Sequence, residues 1–450
     1  MKKVVLALVL SALMLITLVG VAVAEEEIVI NVWSFTDEVE GLLNNYYIPA
    51  HPNVKINYEL TPTADFPAKL DNIVAADAAG ENAPDVFALE AAFVKKYVNS
   101  DVTASLYDLG FTEEELAGAL PVMLQIGTAP DGTPKALSWQ STPGALMYRA
   151  SLAEKYLGVT TPEEFQAAVA DWDTFLETAA TINEVSEGAC KMVVGSGDIW
   201  NVYQYQRSEG WVVDGKLVID DELYDFLELC KTLEQDDLSL KSGAWTETWY
   251  TGMRGDTEVM CYFLPTWGLH YTIKPNCVAG GGDMSDEERA AQAAEGKGTF
   301  GDWRMVAGPC GYSWGGTWIG ANSAKVATWS DAKKAAIKEM IYFFTLDVDQ
   351  LYTYAIDSGD FVGCVAAVEK VIANGGTPNP FLGGQDHYAM FYEAATLANG
   401  SLMTEYDADL NDLWSKFVTE PYTKGEKDLD TCIADFKAEV AAAFANLVVE

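Results

Sequence analysis

The chain has 450 residues, with 67 acidic against 28 basic side chains and a formal charge of −39. A surface of that sign repels nucleic acid and anionic membranes, and it names no partner by itself. The three histidines, His51, His270 and His387, lie far apart, and seven cysteines are too few for a disulfide scaffold in a chain of this length. Together these counts argue against a multi-histidine metal site and leave histidine-based nucleophilic catalysis few candidates.

Lys2 and Lys3 open the sequence, followed by an apolar run from Val4 to Val21, the small-x-small triplet Ala22-Val23-Ala24, and Glu25-Glu26-Glu27. The pattern predicts a cleavable secretory signal over residues 1–24, with a retained anchor as the competing reading because the run approaches spanning length. Removing Lys2 and Lys3 takes the charge from −39 to −41. The first cysteine is Cys190, so no lipid-attachment cysteine lies near the cleavage site. An extracytoplasmic protein is expected, periplasmic rather than lipid-anchored or secreted.

The mature part alternates short apolar runs with amphipathic stretches. "EIVINVWSF" and "VKINYEL" read as strands, with a helical stretch around 39–48 between them that is expected to end at Pro49. "ADFPAKLDNIVAADAAG" reads as a helix with Pro67 in its first turn, and "APDVFAL" as a third strand. Strand, helix, strand, helix, strand predicts a parallel sheet covered by helices. Further on, Thr161-Pro162-Glu163-Glu164 and Ser285-Asp286-Glu287-Glu288 form capping boxes, the second inside a glycine-flanked surface insertion over 279–300. "SDAKKAAIKEMIYFFTL" and "LDTCIADFKAEVAAAFANLV" read as late amphipathic helices. Asp407, Asp409 and Asn411 match the first spacings of a calcium loop, but Asp412 and Val418 occupy positions that need glycine and glutamate. Asp407 and Asn411 are therefore expected on the solvated face of a helix. No phosphate-cradling motif is present, and no cofactor is expected.

The order of these signals resembles the extracellular solute-binding proteins of ABC importers, in the carbohydrate-binding group similar to maltose-binding protein. "INVWSF" with "HPNVKINYEL" looks like the first two strands of that family. "KLDNIVAADAAGENAPDVFAL" looks like its helix and Pro-Asp-Val strand, and "DGTPKALSWQSTPGALMYRASLAEKYLG" like its crossing strand and following helix. "PEEFQAAVADWDTFLETAATI" takes the place of the Pro-x-x-Trp helix. "GDTEVMCYFLPTWGL" is similar to the strand ending in Gly-x-Trp, although Thr257-Glu258-Val259 departs from the usual small residues. "GGTWIGANSAKVATWSDAKKAAIKEMIYFF" resembles the glycine-led strand, turn and helix.

The resemblance implies a two-lobed α/β fold of the periplasmic-binding-protein type, each lobe a mainly parallel sheet flanked by helices, with a ligand cleft between lobes. The implied division is 25–138 plus 315–364 for one lobe and 139–314 plus 365–450 for the other. The chain would cross between them near 136–140, 311–316 and 363–366. Gly315 and Gly316 would then sit at a hinge. Such a protein is not an enzyme; it is expected to be a monomer that delivers a mono- or oligosaccharide to permease subunits.

All thirteen tryptophans lie beyond the signal. A pyranose ring offers an apolar C–H face that flat aromatic rings cover, and a hydroxyl edge that carboxylates and amides bind. The candidate ligand-binding residues are the aromatics Trp33, Trp139, Trp200, Trp245, Trp267 and Trp314, with Glu90, Gln140, Asp198, Arg207 and Asp360. About half of the tryptophans are expected to pack instead; Trp267 and Trp314 are the leading platforms, while Trp172, Trp318 and Trp414 are assigned to packing. Cys277 and Cys310 flank the insertion and are the expected disulfide pair. Two other functions stay open: a secreted glycoside hydrolase, which needs two carboxylates flanking the scissile bond, and a binding protein of this fold for a polyamine or other organic cation.

Overall fold

The computed structural model describes residues 27–450; the expected signal over 1–24 lies outside the described residues. The first strand, Ile28–Ser34, carries β-branched residues and alternates its faces, Ile30 and Val32 on one side and Trp33 on the other. Val54–Leu60 and Val86–Glu90 pair with it in parallel on either side. Thr317–Ala321 then pairs antiparallel with Val86–Glu90 and with Ala136–Ser138, completing a five-stranded sheet. Helix Asp331–Thr345 covers the Ile30 and Val32 face with Ile337, Met340, Ile341 and Phe344, and helix Phe66–Asp77 covers the Trp33 face with Phe66 and Leu70.

A second sheet has Gly144–Arg149 at its centre, flanked antiparallel by Cys261–Pro265 and Trp303–Val306. A mainly parallel sheet was implied here as in the first; this one is wholly antiparallel, because its strands come from well-separated segments that run toward and away from the first sheet with no βαβ crossover between them. Helices Trp172–Val185, Glu222–Gln235 and Leu429–Ala443 pack around it through Phe175, Ile182, Phe226, Cys230, Cys432 and Phe436. Both anticipated capping boxes form, Thr161 with Glu164 and Ser285 with Glu288. "PEEFQAAVADWDTFLETAATI" makes two helices, Pro162–Ala168 and Trp172–Val185, because Asp171 turns extended and caps the second through Thr174 N.

The helix expected to stop at Pro49 instead runs through it. Glu38–Leu42 continues into a π-helical stretch, Leu43–Tyr47, and then Ile48–Ala50. The same device recurs at Leu269–Ile273 before Pro275 and at Ser415–Thr419 before Pro421. Proline has no N–H and crowds the carbonyl four residues back; widening the preceding turn lets the helix carry it.

Two further expectations are corrected. All seven cysteines are free: Cys277 is buried in the core that holds Trp303 and Phe381, whereas Cys310 packs against the other core, so the pair does not form. Asp407 is buried and bonds Arg207 at 3.3 Å, and Asn411 accepts the Trp211 indole N–H at 2.7 Å, so neither lies on a solvated face. Among the described residues no His, Cys, Asp and Glu cluster is arranged to hold a metal ion, and no helix is long and apolar enough to cross a membrane.

Candidate binding cleft

Three chain segments pass side by side between the two sheets. Residues 139–143 link Ala136–Ser138 to Gly144–Arg149, 307–316 link Trp303–Val306 to Thr317–Ala321, and 360–363 run beside them. Ser141 N donates to Phe361 O and Gly363 N to Trp139 O, both at 2.9 Å, while Trp314 N donates to Thr142 O at 3.0 Å and Gly144 N to Tyr312 O at 2.9 Å. Two hydroxyls lock the arrangement: Thr142 Oγ1 donates to Gly315 O at 2.8 Å and Ser138 Oγ to Thr317 O at 2.7 Å. Gly315 and Gly316 have φ of +81° and +122°, which side chains resist. A Cβ on Gly315 would stand 2.9 Å from Trp267 Nε1, so the backbone there also makes room for an indole.

The parallel strands of the first sheet end at this crossing. After Ser34 the chain turns, with Ser34 Oγ accepting from Thr36 N at 3.1 Å, and Glu38 begins a helix with its amide on Thr36 Oγ1 at 3.3 Å. Glu90 ends the neighbouring strand opposite Thr317, which places it beside Gly316. Carboxyl ends of parallel strands are where α/β sheets present ligand groups. Burial and then the charge of Asp360 push the Glu38 carboxyl up to about 7, and burial raises Glu90. Asp360, itself buried, accepts hydrogen bonds from Tyr271 at 3.3 Å and from Tyr354, and burial raises its pKa as well.

The second sheet supplies an aromatic wall. Cys261–Pro265 runs directly into the turn Thr266–Gly268, anchored by Thr266 Oγ1 on Ser141 O at 3.2 Å. Trp267 donates its indole N–H to Trp314 O at 2.8 Å, and the two rings meet edge to face at 5.2 Å. Trp245 lies nearly parallel to Trp267, 10° between planes at 6.0 Å, and edge-on to Trp314 at 6.4 Å. Trp245 is 54% exposed and has a φ of +65°, a left-handed backbone rarely adopted by a bulky residue. Behind it Trp249 is fully buried, 4.9 Å away, with its indole N–H on Asp198 Oδ2 at 3.1 Å. Tyr271, four residues after Trp267 in the π-helical stretch and 56% exposed, links this wall to Asp360.

The structure therefore brings Trp245, Trp267 and Trp314 together, with Glu90, Gln140 and Asp360 at the crossing; Gln140 bridges to Val362. It does not bring the others there. Trp33 packs on Phe66 and Leu70 beneath the Lys69 ammonium, 4.2 Å from its ring. Trp139 is wholly buried and meets Tyr354 edge-on, so it offers a ligand no face. Trp200 packs on Phe226 and lines a separate cavity of about 420 Å³. Asp198 is buried beneath Trp249, and Arg207 is buried between Trp211 and Asp407; both are engaged inside the fold. Trp172, Trp318 and Trp414 pack as expected. Another cavity, of about 740 Å³ between Lys95, Gln125 and Tyr406, has that tyrosine as its one aromatic wall. Sequence reasoning missed Glu38, Tyr271, Tyr354 and Ser141. Glu38 had a usable signal, an acid four residues past the end of a parallel strand; the tyrosines had none.

Residues 47–370 match the family described as bacterial extracellular solute-binding protein. No curated protein matches the sequence. Among solved structures, a crystal structure of an extracellular solute-binding protein of family 1 superposes with a TM-score of 0.76 at 19% identity, covering 92% of this chain and 99% of that one. The sugar-binding protein MalE from Xanthomonas citri gives 0.70 at 15% identity, with 93% and 97% covered. The ABC transporter associated binding protein from B. animalis subsp. lactis Bl-04, in complex with β-1,6-galactobiose, gives 0.64 at 18%, with 93% and 98% covered. At these identities the likeness establishes the two-lobed fold, and the extent of the family match establishes the rest: the chain belongs to the bacterial extracellular solute-binding proteins.

Proposed function

We propose that the protein captures a mono- or oligosaccharide in the cleft and hands it unchanged to the permease of an ABC importer. The observation that carries this reading is the Trp245, Trp267 and Trp314 cluster. An exposed indole on left-handed backbone is costly to fold, and such costs gather where a ligand is held. Indole faces suit the C–H face of a pyranose, and Glu38, Glu90, Gln140 and Asp360 suit its hydroxyl edge. The sheet ends of residues 25–138 plus 315–364 carry the carboxylates, and residues 139–314 plus 365–450 carry most of the indoles, so a ligand touching both is held fully only when the lobes close. The protein acts as a monomer outside the cytoplasm, in the periplasm, after loss of residues 1–24. Solved relatives support the sugar: one is a sugar-binding MalE and another is complexed with β-1,6-galactobiose.

The test is a thermal-shift screen of residues 25–450 against mono- and oligosaccharides, with polyamines and amino acids as controls, followed by chromatography of the recovered ligand. Ligand at a hundredfold over Kd adds about 2.7 kcal/mol to the native state. The proposal expects a rise with one sugar class and intact sugar recovered. A rise confined to the controls would overturn the sugar, and cleavage of an oligosaccharide would make the protein a hydrolase.

A further inference from the structure

Of the buried aspartates outside the cleft, Asp85 and Asp407 carry cations of the fold, Asp220 accepts three backbone amides, and Asp198 lies alone beneath the Trp249 indole. Asp85, fully buried, has Lys325 at 3.1 Å and Lys333 at 2.8 Å. Asp407 has Arg207 at 3.3 Å, and the partly buried Asp302 has Arg149 at 2.6 Å. In the cleft, by contrast, two acids lie in one another's field without a cation. Asp360 is met only by the neutral hydroxyls of Tyr271 and Tyr354, and Glu38 only by the hydroxyl of Thr36 at 3.4 Å. Each buried charge without a counter-charge is costly, and two in one another's field cost more. A second feature at the same spot is Ser141 Oγ, fully buried with no hydrogen-bond partner, on the residue whose amide bonds Phe361 O beside Asp360. Buried hydroxyls are nearly always satisfied; Thr103 Oγ1 is the other unpartnered one among the described residues, and Ser141 Oγ is the one set beside Asp360. Aromatic rings enclose the position: Tyr271 and Tyr354 on Asp360, Tyr46 edge-on to Tyr354 at 5.8 Å, and Trp267 one helical turn from Tyr271.

We infer that the sugar bound in this cleft carries a basic amino group, and that Glu38 and Asp360 form the subsite that receives its ammonium. The inference rests on the sugar-binding reading above and narrows it. A neutral hydroxyl can donate to either carboxylate but leaves their mutual repulsion in place. An ammonium cancels that repulsion, donates to both carboxylates and lies against aromatic rings whose faces attract cations. Glu38, held near 7, ionises as the cation arrives.

The experiment is calorimetric titration at pH 7.5 with disaccharides matched in ring and linkage but differing at one substituent: free amine, hydroxyl or N-acetyl. The series includes the glucosamine dimer, cellobiose and N,N′-diacetylchitobiose, together with α-linked triplets. Spermidine is run alone, and calcium chloride is run both alone and in competition with the bound aminated sugar. The inference expects the amine form to bind at least about tenfold tighter than both neutral forms. It expects Glu38→Gln to bring that ratio near one, the amine form losing far more affinity than the neutral forms. Asp360→Asn, checked for folding by circular dichroism, should do the same. Neutral forms binding as tightly as the amine would overturn the ammonium subsite and leave the sugar reading standing. Spermidine binding without any sugar would overturn the sugar reading and this inference with it. Calcium alone displacing the aminated sugar would make the pair a cation site and sink the inference, and no binding to any probe would overturn both.

Discussion

Replacing Trp245 by glycine separates a ligand platform from a packing residue more cleanly than any other change in the cleft. The ring is 54% exposed, so roughly half of the ~150–250 Å² that a covered aromatic buries, ~100 Å², is lost from the fold. At about 25 cal/mol per Å² that costs about 2.5 kcal/mol. Glycine returns about 1 kcal/mol by relaxing the φ of +65°. The net loss of stability is therefore about 1–2 kcal/mol. The same arithmetic for Trp249→Ala, fully buried and bonded to Asp198, gives about 3–5 kcal/mol. In binding the order reverses. Trp245→Gly removes an indole face from the sugar, worth about 1–3 kcal/mol or about 5- to 150-fold in Kd. Urea unfolding and calorimetric titration with the sugar that gives the thermal shift measure both quantities. If Trp245→Gly binds within twofold of the parent, or destabilises as much as Trp249→Ala, the indole is structural and the platform argument fails.

Gly315→Ala forces a side chain into a φ of +81° and sets its Cβ 2.9 Å from Trp267 Nε1, breaking that indole's bond to Trp314 O; a stability loss of about 1–3 kcal/mol and weaker sugar binding are expected, read by melting temperature and titration. Burial pushes Asp198 up to about 7, so between roughly pH 4 and 7 the native state keeps a proton that the unfolded chain releases, and stability falls as pH rises through that window. Asp198→Asn keeps an acceptor for Trp249 Nε1, and it should flatten part of that slope and raise the melting temperature at pH 8; an unchanged pH profile would show that Asp198 is ionised in the fold. Seven free thiols should react with a disulfide reagent in denaturant without prior reduction, Cys310 should react first in the native state because the other six are buried, and reducing agent should leave the melting temperature unchanged.

What the sequence disclosed follows from how local each signal is. Strands Ile28–Ser34 and Val54–Leu60, the capping boxes at Thr161 and Ser285 and the helix at Asp331 depend on neighbours a few residues away, and they stand where the pattern puts them. Proline was misread as a stop because the π-helical turn before Pro49 needs tertiary packing to hold it; the same turn at Leu269–Ile273 is what points Tyr271 to Asp360. The candidate site was legible in part. Trp267 and Trp314 were signalled by a strand ending in tryptophan and by adjacent glycines. Trp139 sits just as close to a crossing and is wholly buried, since which face of a strand meets the ligand depends on a partner strand far away in sequence. Asp198 and Arg207 failed for the same reason: an isolated acid or base near a tryptophan gives no hint whether its partner is a ligand or Trp249 and Asp407.

The crossing explains why the aromatic wall and the proposed hinge share residues. Trp314 is tied at its amide to Thr142 O and at its carbonyl to Trp267 Nε1, so one residue joins the pivot to the wall. The bonds at Ser138, Thr142, Phe361 and Gly363 run among the crossing segments themselves. In the proposed closing, a small rotation about those segments would leave these bonds intact, with the torsional change taken up at Gly315 and Gly316, whose backbone tolerates it. Glu38 and Glu90 adjoin the first sheet and Trp245 and Trp267 the second, so the proposed closing would bring carboxylates toward indoles without rebuilding either group. On this proposal ligand affinity depends on a pivot of low resistance and on two surfaces already in shape, and because Gly315 also packs against the Trp267 indole, a side chain there should disturb the pivot and the wall together.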